Sequence, residues 1–78
     1  MNTFDRLLNV FNAVFENDVD AASVTMEASL RDDVGINSIG LLYMAIALEE
    51  EFGIKFNNED LKALVTVQDV IRCIEAKL

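Results

Sequence analysis

The chain is 78 residues long and reads as one domain over residues 1–78, with no room for a second. One cysteine and no histidine exclude an internal disulfide, the common zinc ligand sets and any nucleophile–histidine device, so stability must come from a core drawn from the 53% apolar residues. A net charge of −8 argues against nucleic acid and anionic membranes as partners and suits encounter with basic surfaces on other proteins.

A first helix is predicted over Thr3–Phe15. Phe4, Leu7, Leu8, Phe11, Val14 and Phe15 fall at the three- and four-residue steps of one face, and Asn2 or Thr3 is placed to cap it. Asp5 and Arg6 interrupt the opening apolar stretch and no basic segment precedes it, so no secretory signal is expected. Glu16 to Asn37 has no helical period and is longer than an ordinary connection. Val24, Met26 and Leu30 are expected to pin it to the core, and Gly35 to supply a backbone turn. Asp18-Val19-Asp20 has the opening of a calcium loop, but Ser23 stands where such a loop needs glycine, and no metal site is expected.

The second helix is predicted from Ser38 to Phe52–Gly53, with Asn37 or Ser38 as cap and Gly53 as a left-handed stop. Ile39, Leu41, Leu42, Ala45, Ile46, Ala47, Leu48 and Phe52 cover most of its circumference. Such a helix is either central or keeps an outer face for another protein. Its uncharged apolar run, Ile39 to Leu48, is well short of the about 20 residues that span a membrane. Glu49, Glu50 and Glu51 lie at the C-terminal end, where the dipole disfavours acids, and read as a solvated face. A short third helix is predicted over Glu59–Leu64 with Asn58 as cap. The fourth follows Thr66, with Asp69 in capping-box spacing and Val67, Val70, Ile71, Ile74 and Leu78 as its buried stripe. Cys73 borders that stripe as a small boundary residue. With no persuasive strand pair, the expected fold is all-α, a small four-helix bundle of three long helices and one short. A core of this size leaves little room for a substrate pocket, and no enzyme is expected. A lone thiol suits a reducing cytoplasm.

Residues 30 to 56 carry a recognisable pattern. Leu30, Asp33, Gly35, Ser38, Leu48, Glu49, Phe52 and Ile54 stand at the spacing Leu-x-x-Asp-Leu-Gly-x-Asp-Ser-Leu, apolar helix, Leu-Glu-x-x-Phe-x-Ile, with Val34 and Ile39 replacing leucines. The pattern resembles that of the acyl carrier protein family, and Thr66-Val67-Gln68-Asp69 resembles the start of that family's last helix. The resemblance implies that Ser38, flanked by Asn37 and Ile39, carries a 4′-phosphopantetheine arm derived from coenzyme A, added by a phosphopantetheinyl transferase. It further implies a monomeric carrier that holds acyl groups as thioesters for loading ligases or synthases of fatty acid, polyketide or related specialised biosynthesis. The position agrees on physical grounds, since a serine opening a helix sits beside unpaired amides that favour a phosphate.

Three positions depart from the family. Asn37 replaces the usual Asp before the serine, and Gly40 and Tyr43 stand where fatty-acid carriers often place acids. Apolar contact through Ile39, Leu41, Leu42 and Tyr43, with Glu49 beyond them, is therefore the expected docking mode, and a dedicated synthase or ligase the expected partner. Gly40 after an apolar residue is also similar to D-alanyl carriers, so an aminoacyl or peptidyl cargo stays open. Asn37 leaves open a carrier-like interaction module without the arm.

Overall fold

The computed structural model describes residues 2–15 and 24–78. Four helices follow in order: α1 Thr3–Phe15, α2 Ser38–Phe52, α3 Asn58–Ala63 and α4 Val67–Lys77. The all-α expectation holds among the described residues, where extended pairing is limited to an isolated bridge between Ser29 and Thr66. The Asp18–Asp20 segment and Ser23 lie outside the described residues.

α1 begins where Asn2 Oδ1 accepts the Asp5 N–H at 2.8 Å, which selects Asn2 over Thr3 as the cap. Leu7, Val10 and Phe11 bury its inner face against α2 and α4. From α2 come Met44, Ala45, Leu48 and Phe52, and from α4 Val67, Val70, Ile71 and Ile74, whereas Leu78, expected in that stripe, lies past the end of α4 and is exposed. The connection supplies Val24, Ala28, Leu30, Val34 and Ile36 to the same core, so Val24 and Leu30 pin it as expected while Met26 packs at the edge. Its backbone is also laced to the α3–α4 junction. Leu30 N–H donates to Val65 O, Val67 N–H to Ala28 O and Gln68 N–H to Met26 O, at 2.9, 3.0 and 2.9 Å. These bonds pair backbone groups that helices cannot satisfy.

α2 ends at Gly53, whose φ of +67° and ψ of +38° lie in the left-handed region. The acidic triplet before it is more than a solvated face. Arg6 of α1 donates to Glu51 Oε2 at 2.9 and 3.0 Å and to Glu51 O at 2.8 Å, and its guanidinium carbon lies 4.2 Å from the Phe52 ring centroid. A cation is thus delivered to the negative end of the α2 dipole, and it offsets the acids there. Glu49 Oε2 accepts the Phe56 N–H at 2.8 Å. Glu50 and Glu51 are both exposed as the solvated reading expects, Glu51 with an ion pair besides, and Glu49 is the half-buried exception.

α3 starts one residue earlier than predicted, because the cap is Asn57 and not Asn58. Asn57 Oδ1 accepts the Asp60 N–H at 2.8 Å and Asp60 Oδ2 accepts the Asn57 N–H at 2.9 Å, a reciprocal box that the Asn58 register cannot close. The helix buries none of its own residues fully, and its Asp60 is tied to Lys77 of α4 at 2.8 Å. With so little apolar anchorage, α3 is the wall of the bundle that opens at least cost.

α4 has the predicted box. Asp69 N–H donates to Thr66 Oγ1 at 3.2 Å, and Asp69 Oδ2 accepts from Thr66 and Val65 N–H at 3.1 and 3.3 Å. The Thr66 amide holds the Asp69 carboxyl below its ordinary value, against the opposing effect of burial. A carboxylate depressed in the folded state adds stability that is present above the unfolded pKa and lost as pH falls through the folded one. The melting-temperature gap between wild type and Asp69→Asn is therefore expected to be constant from about pH 6 to 8 and to shrink below about pH 4. Thermal melts across that range check it. A gap that widens in acid would contradict the assignment.

Candidate functional site

Ser38 is the first residue of α2 and is exposed. Asn37 caps the helix from an extended backbone (φ −86°, ψ −180°), and its Oδ1 accepts the Gly40 N–H at 2.7 Å. Leu41 N–H makes the first helical bond, to Asn37 O at 2.9 Å, so the amides of Ser38 and Ile39 have no helical acceptor. Together with the positive end of the dipole they favour an anion joined to Ser38 Oγ. The sequence left the cap between Asn37 and Ser38; the geometry gives it to Asn37 and leaves the serine hydroxyl for chemistry. The amide oxygen of Asn37 performs the cap that the family's aspartate would, with one negative charge fewer.

The turn that delivers Ser38 is built by residues that match the family pattern. Asp33 Oδ2 accepts the Ser29 N–H at 2.8 Å, Ser29 Oγ accepts the Asp32 N–H at 3.1 Å, and Ile36 N–H donates to Leu30 O at 2.8 Å. Gly35 has a φ of +85°, a left-handed conformation that an L side chain rarely adopts, although space for a β-carbon is open there. At Gly40 the constraint is the reverse. A β-carbon would lie 3.2 Å from Ile36 Cγ2 and 3.3 Å from both Asn37 Oδ1 and the Phe15 ring. The end of α1 closes on the start of α2 here, so a side chain at position 40 fits only if these neighbours give way by a few tenths of an ångström.

A cleft of about 570 Å³ opens beside Ser38, between the 29–38 segment, α2 and α3. Its floor is apolar, formed by Leu30, Ile36, Leu41, Leu42, Leu61 and Leu64. An exposed hydroxyl at a helix start, outward amides and an adjoining apolar cleft together fit a phosphate-linked arm carrying an apolar group.

The predicted docking residues divide by their angle on the helix. Ile39, Leu42 and Tyr43 are 63%, 51% and 62% exposed, and Ile46, absent from the expected set, joins them at 55%. Positions 39, 42, 43 and 46 form one uncharged stripe of i, i+3, i+4 and i+7 spacing. Leu41 is half-buried and lines the cleft, not the stripe. Glu49 lies about 16 Å along the helix axis from Ser38 and is committed to the Phe56 amide. Ile46 was discoverable as the i+7 continuation of a stripe opening at Ile39.

Cys73 is the chain's single thiol and is partly buried. Burial, and then the negative charge of Asp60, push its pKa up. The thiol stays protonated at neutral pH and is a poor nucleophile. Among the described residues no group of His, Cys, Asp and Glu could hold a metal ion, and no helix is long and apolar enough to cross a membrane.

A family profile described as "Phosphopantetheine attachment site" matches residues 5–74. An acyl carrier protein of Solidesulfovibrio magneticus is 44% identical over 59 residues, covering 76% of each chain. One from Thermotoga maritima is 43% identical over 60 residues, covering 77% of this chain and 74% of its own. A third, from an Exiguobacterium species, is 40% identical over 73 residues and covers 92% of both.

Proposed function

The chain belongs to the acyl carrier protein family, and from that premise we propose that Ser38 bears the arm and that the chain serves a dedicated acyl-loading ligase or synthase. It is a carrier and not an enzyme, and its cofactor is a covalently attached 4′-phosphopantetheine. When bound, that group supplies a terminal thiol that holds acyl cargo as an activated thioester. The chain's own residues present and shelter it. Asn37 fixes the start of α2, the first-turn amides receive the phosphate, and the apolar cleft takes up non-polar cargo. The protonated Cys73 leaves the arm's thiol as the reactive one.

The observation that carries the reading is Ser38, exposed at a capped helix start on the rim of an apolar cleft. Gly40, whose similarity to D-alanyl carriers keeps an aminoacyl or peptidyl cargo as the alternative, is also tightly packed against Ile36, Asn37 and Phe15. Asn37 keeps the cap intact, so its presence does not favour an unmodified module. A phosphopantetheinyl transferase and acyl-handling enzymes are the implied partners. Fatty acid or specialised biosynthesis in the cytoplasm is the setting we propose, with the chain acting as a monomer. Incubation with coenzyme A, Mg²⁺ and a transferase is expected to add the mass of phosphopantetheine. Further incubation with a fatty acid, ATP and an acyl-loading ligase is expected to add an acyl mass that neutral hydroxylamine removes while the arm stays in place, as a thioester on a phosphodiester-linked arm requires. A chain that stays at its unmodified mass under these conditions would contradict the proposal.

Partner docking through the α2 stripe is the second element. A stripe without charge gives contact by apolar burial, while the −8 net charge acts at longer range to steer encounter. Leu42→Glu places a charge in its centre. The variant is expected to lower kcat/KM of a ligase or synthase acting on the chain by about 30-fold, the size of one interface hot spot. Its melting temperature should stay within a few degrees of wild type, since Leu42 is exposed. Unchanged kinetics would remove the stripe from the docking surface.

A further inference from the structure

The chain has only six basic residues, and the structure uses two of them internally: Arg6 pairs with Glu51 and Lys77 with Asp60. Two others, Arg31 and Lys62, both line the cleft beside Ser38. Among the described residues the side chains of Arg31 and Lys62 take part in no ion pair or hydrogen bond. Arg31 also lines a second, smaller hollow with Gly35, Ile36, Asn37 and Ser38, so it borders the attachment residue in both. Lys62 stands on the opposite wall, in α3. The cleft's one acid is Asp32, which leaves its rim with a net positive charge in a protein whose total is −8.

An anion that comes to the cleft meets both of these cations. The family cofactor brings one, a phosphodiester one bond from Ser38 Oγ. The α2 amides and dipole already favour that charge at Ser38, and cations beside the cleft add to the local attraction against the repulsion of the protein's overall negative field. Arg31 presents a planar fork suited to phosphate oxygens, and Lys62 a compact point charge across the gap.

We propose that Arg31 and Lys62 form an anion-binding pair for the phosphodiester of the arm, which draws the arm across the cleft toward α3. The inference rests on the reading that Ser38 carries the arm. The consequence is positional. The pantetheine is laid over the Leu41–Leu61 floor, and a partner that extends the arm must compete with two charge-assisted contacts. Because those contacts are screened by salt, ionic strength acts on the resting position of the arm.

The test compares unmodified and phosphopantetheinylated protein, wild type against Arg31→Gln/Lys62→Gln, with intact mass confirming the arm in each sample. Both side chains are exposed and without partners among the described residues, so the variant is expected to fold as wild type does. Arm attachment in the wild type is expected to shift the amide resonances of residues 61–65, at the end of α3 and just beyond it, and the ³¹P resonance of the loaded wild type is expected to be shifted from that of phosphopantetheine on a denatured chain. Both shifts should be lost in the variant, and lost in the wild type at 1 M salt, where the Debye length is about 3 Å. The same shifts in variant and wild type at every ionic strength would overturn the proposal. So would shifts that appear only with a carboxylate-bearing cargo such as succinyl, since the bound anion would then belong to the cargo. Failure of the wild type to gain the arm is read by mass alone and bears on Ser38, not on the pair.

Discussion

Phe11→Ala is expected to remove about a quarter or more of the chain's folding stability. Phe11 is fully buried where α1 meets α2 and α4, and its ring packs edge-on against Phe15 at 5.9 Å between centroids. Truncation of a buried phenylalanine removes its transfer free energy and leaves a cavity, a loss of about 3–5 kcal/mol. The whole stability of a domain this size is about 4–12 kcal/mol. No disulfide adds to it, and the acidic surface repels itself. A melting temperature about 15–30 °C below wild type is the expected reading, from the slope of roughly 4–8 °C per kcal/mol for small domains. Far-ultraviolet circular dichroism during thermal melting checks it. A fall of only a few degrees would mean that Phe11 is not the keystone its burial indicates.

Ser38→Ala has the largest functional effect and almost no structural one. Asn37, not Ser38, supplies the oxygen that caps Gly40, and Ser38 is exposed, so the helix start loses nothing it depends on. Alanine is also the better helix former. The variant should melt within a few degrees of wild type, yet gain no mass on incubation with coenzyme A, Mg²⁺ and a transferase. The separation of the two readouts is the point. A residue that served only as a helix cap would lower stability by about 1 kcal/mol and leave loading untouched. Loading of the Ala variant at the wild-type rate would move the attachment site elsewhere in the chain.

What could be read ahead of the structure follows the range of the interactions involved. The span of α1, the Gly53 stop and the Thr66–Asp69 box depend on residues within a turn or two of one another, and periodicity and capping chemistry find them. Residues Asn57 and Asn58 are adjacent and both eligible as caps. Only the returning Asp60 carboxylate selects Asn57, which is why α3 was placed one residue late. The partners of the acidic triplet lie beyond local spacing, Arg6 being 45 residues from Glu51, so an exposed face is legible in the sequence and its ion pair is not. Gly40 stands out in the sequence, but part of its tight surroundings, the Phe15 ring of α1, lies 25 residues away and is in no local pattern. The cleft is assembled from the connection, α2 and α3, so sequence spacing could place Ser38 on a helix start and could not place Arg31 and Lys62 beside it.

These particulars connect small size to the carrier role. α1, α2 and α4 share one core and hold Ser38 at a fixed helix start, while α3, which buries none of its residues fully, forms the yielding wall of the cleft. The −8 charge is unevenly spent. Acids cap α3 and α4 and pair with Arg6, whereas the stripe Ile39, Leu42, Tyr43 and Ile46 carries none.

The central claim, a carrier loaded on Ser38, is tested most directly by the intact mass of the protein isolated from its native host, with fragmentation to locate any adduct. The account predicts a phosphopantetheine adduct, with or without an acyl group, on the fragment containing Ser38 and on no other. Protein found consistently at its unmodified mass, or modified at a different residue, would contradict it.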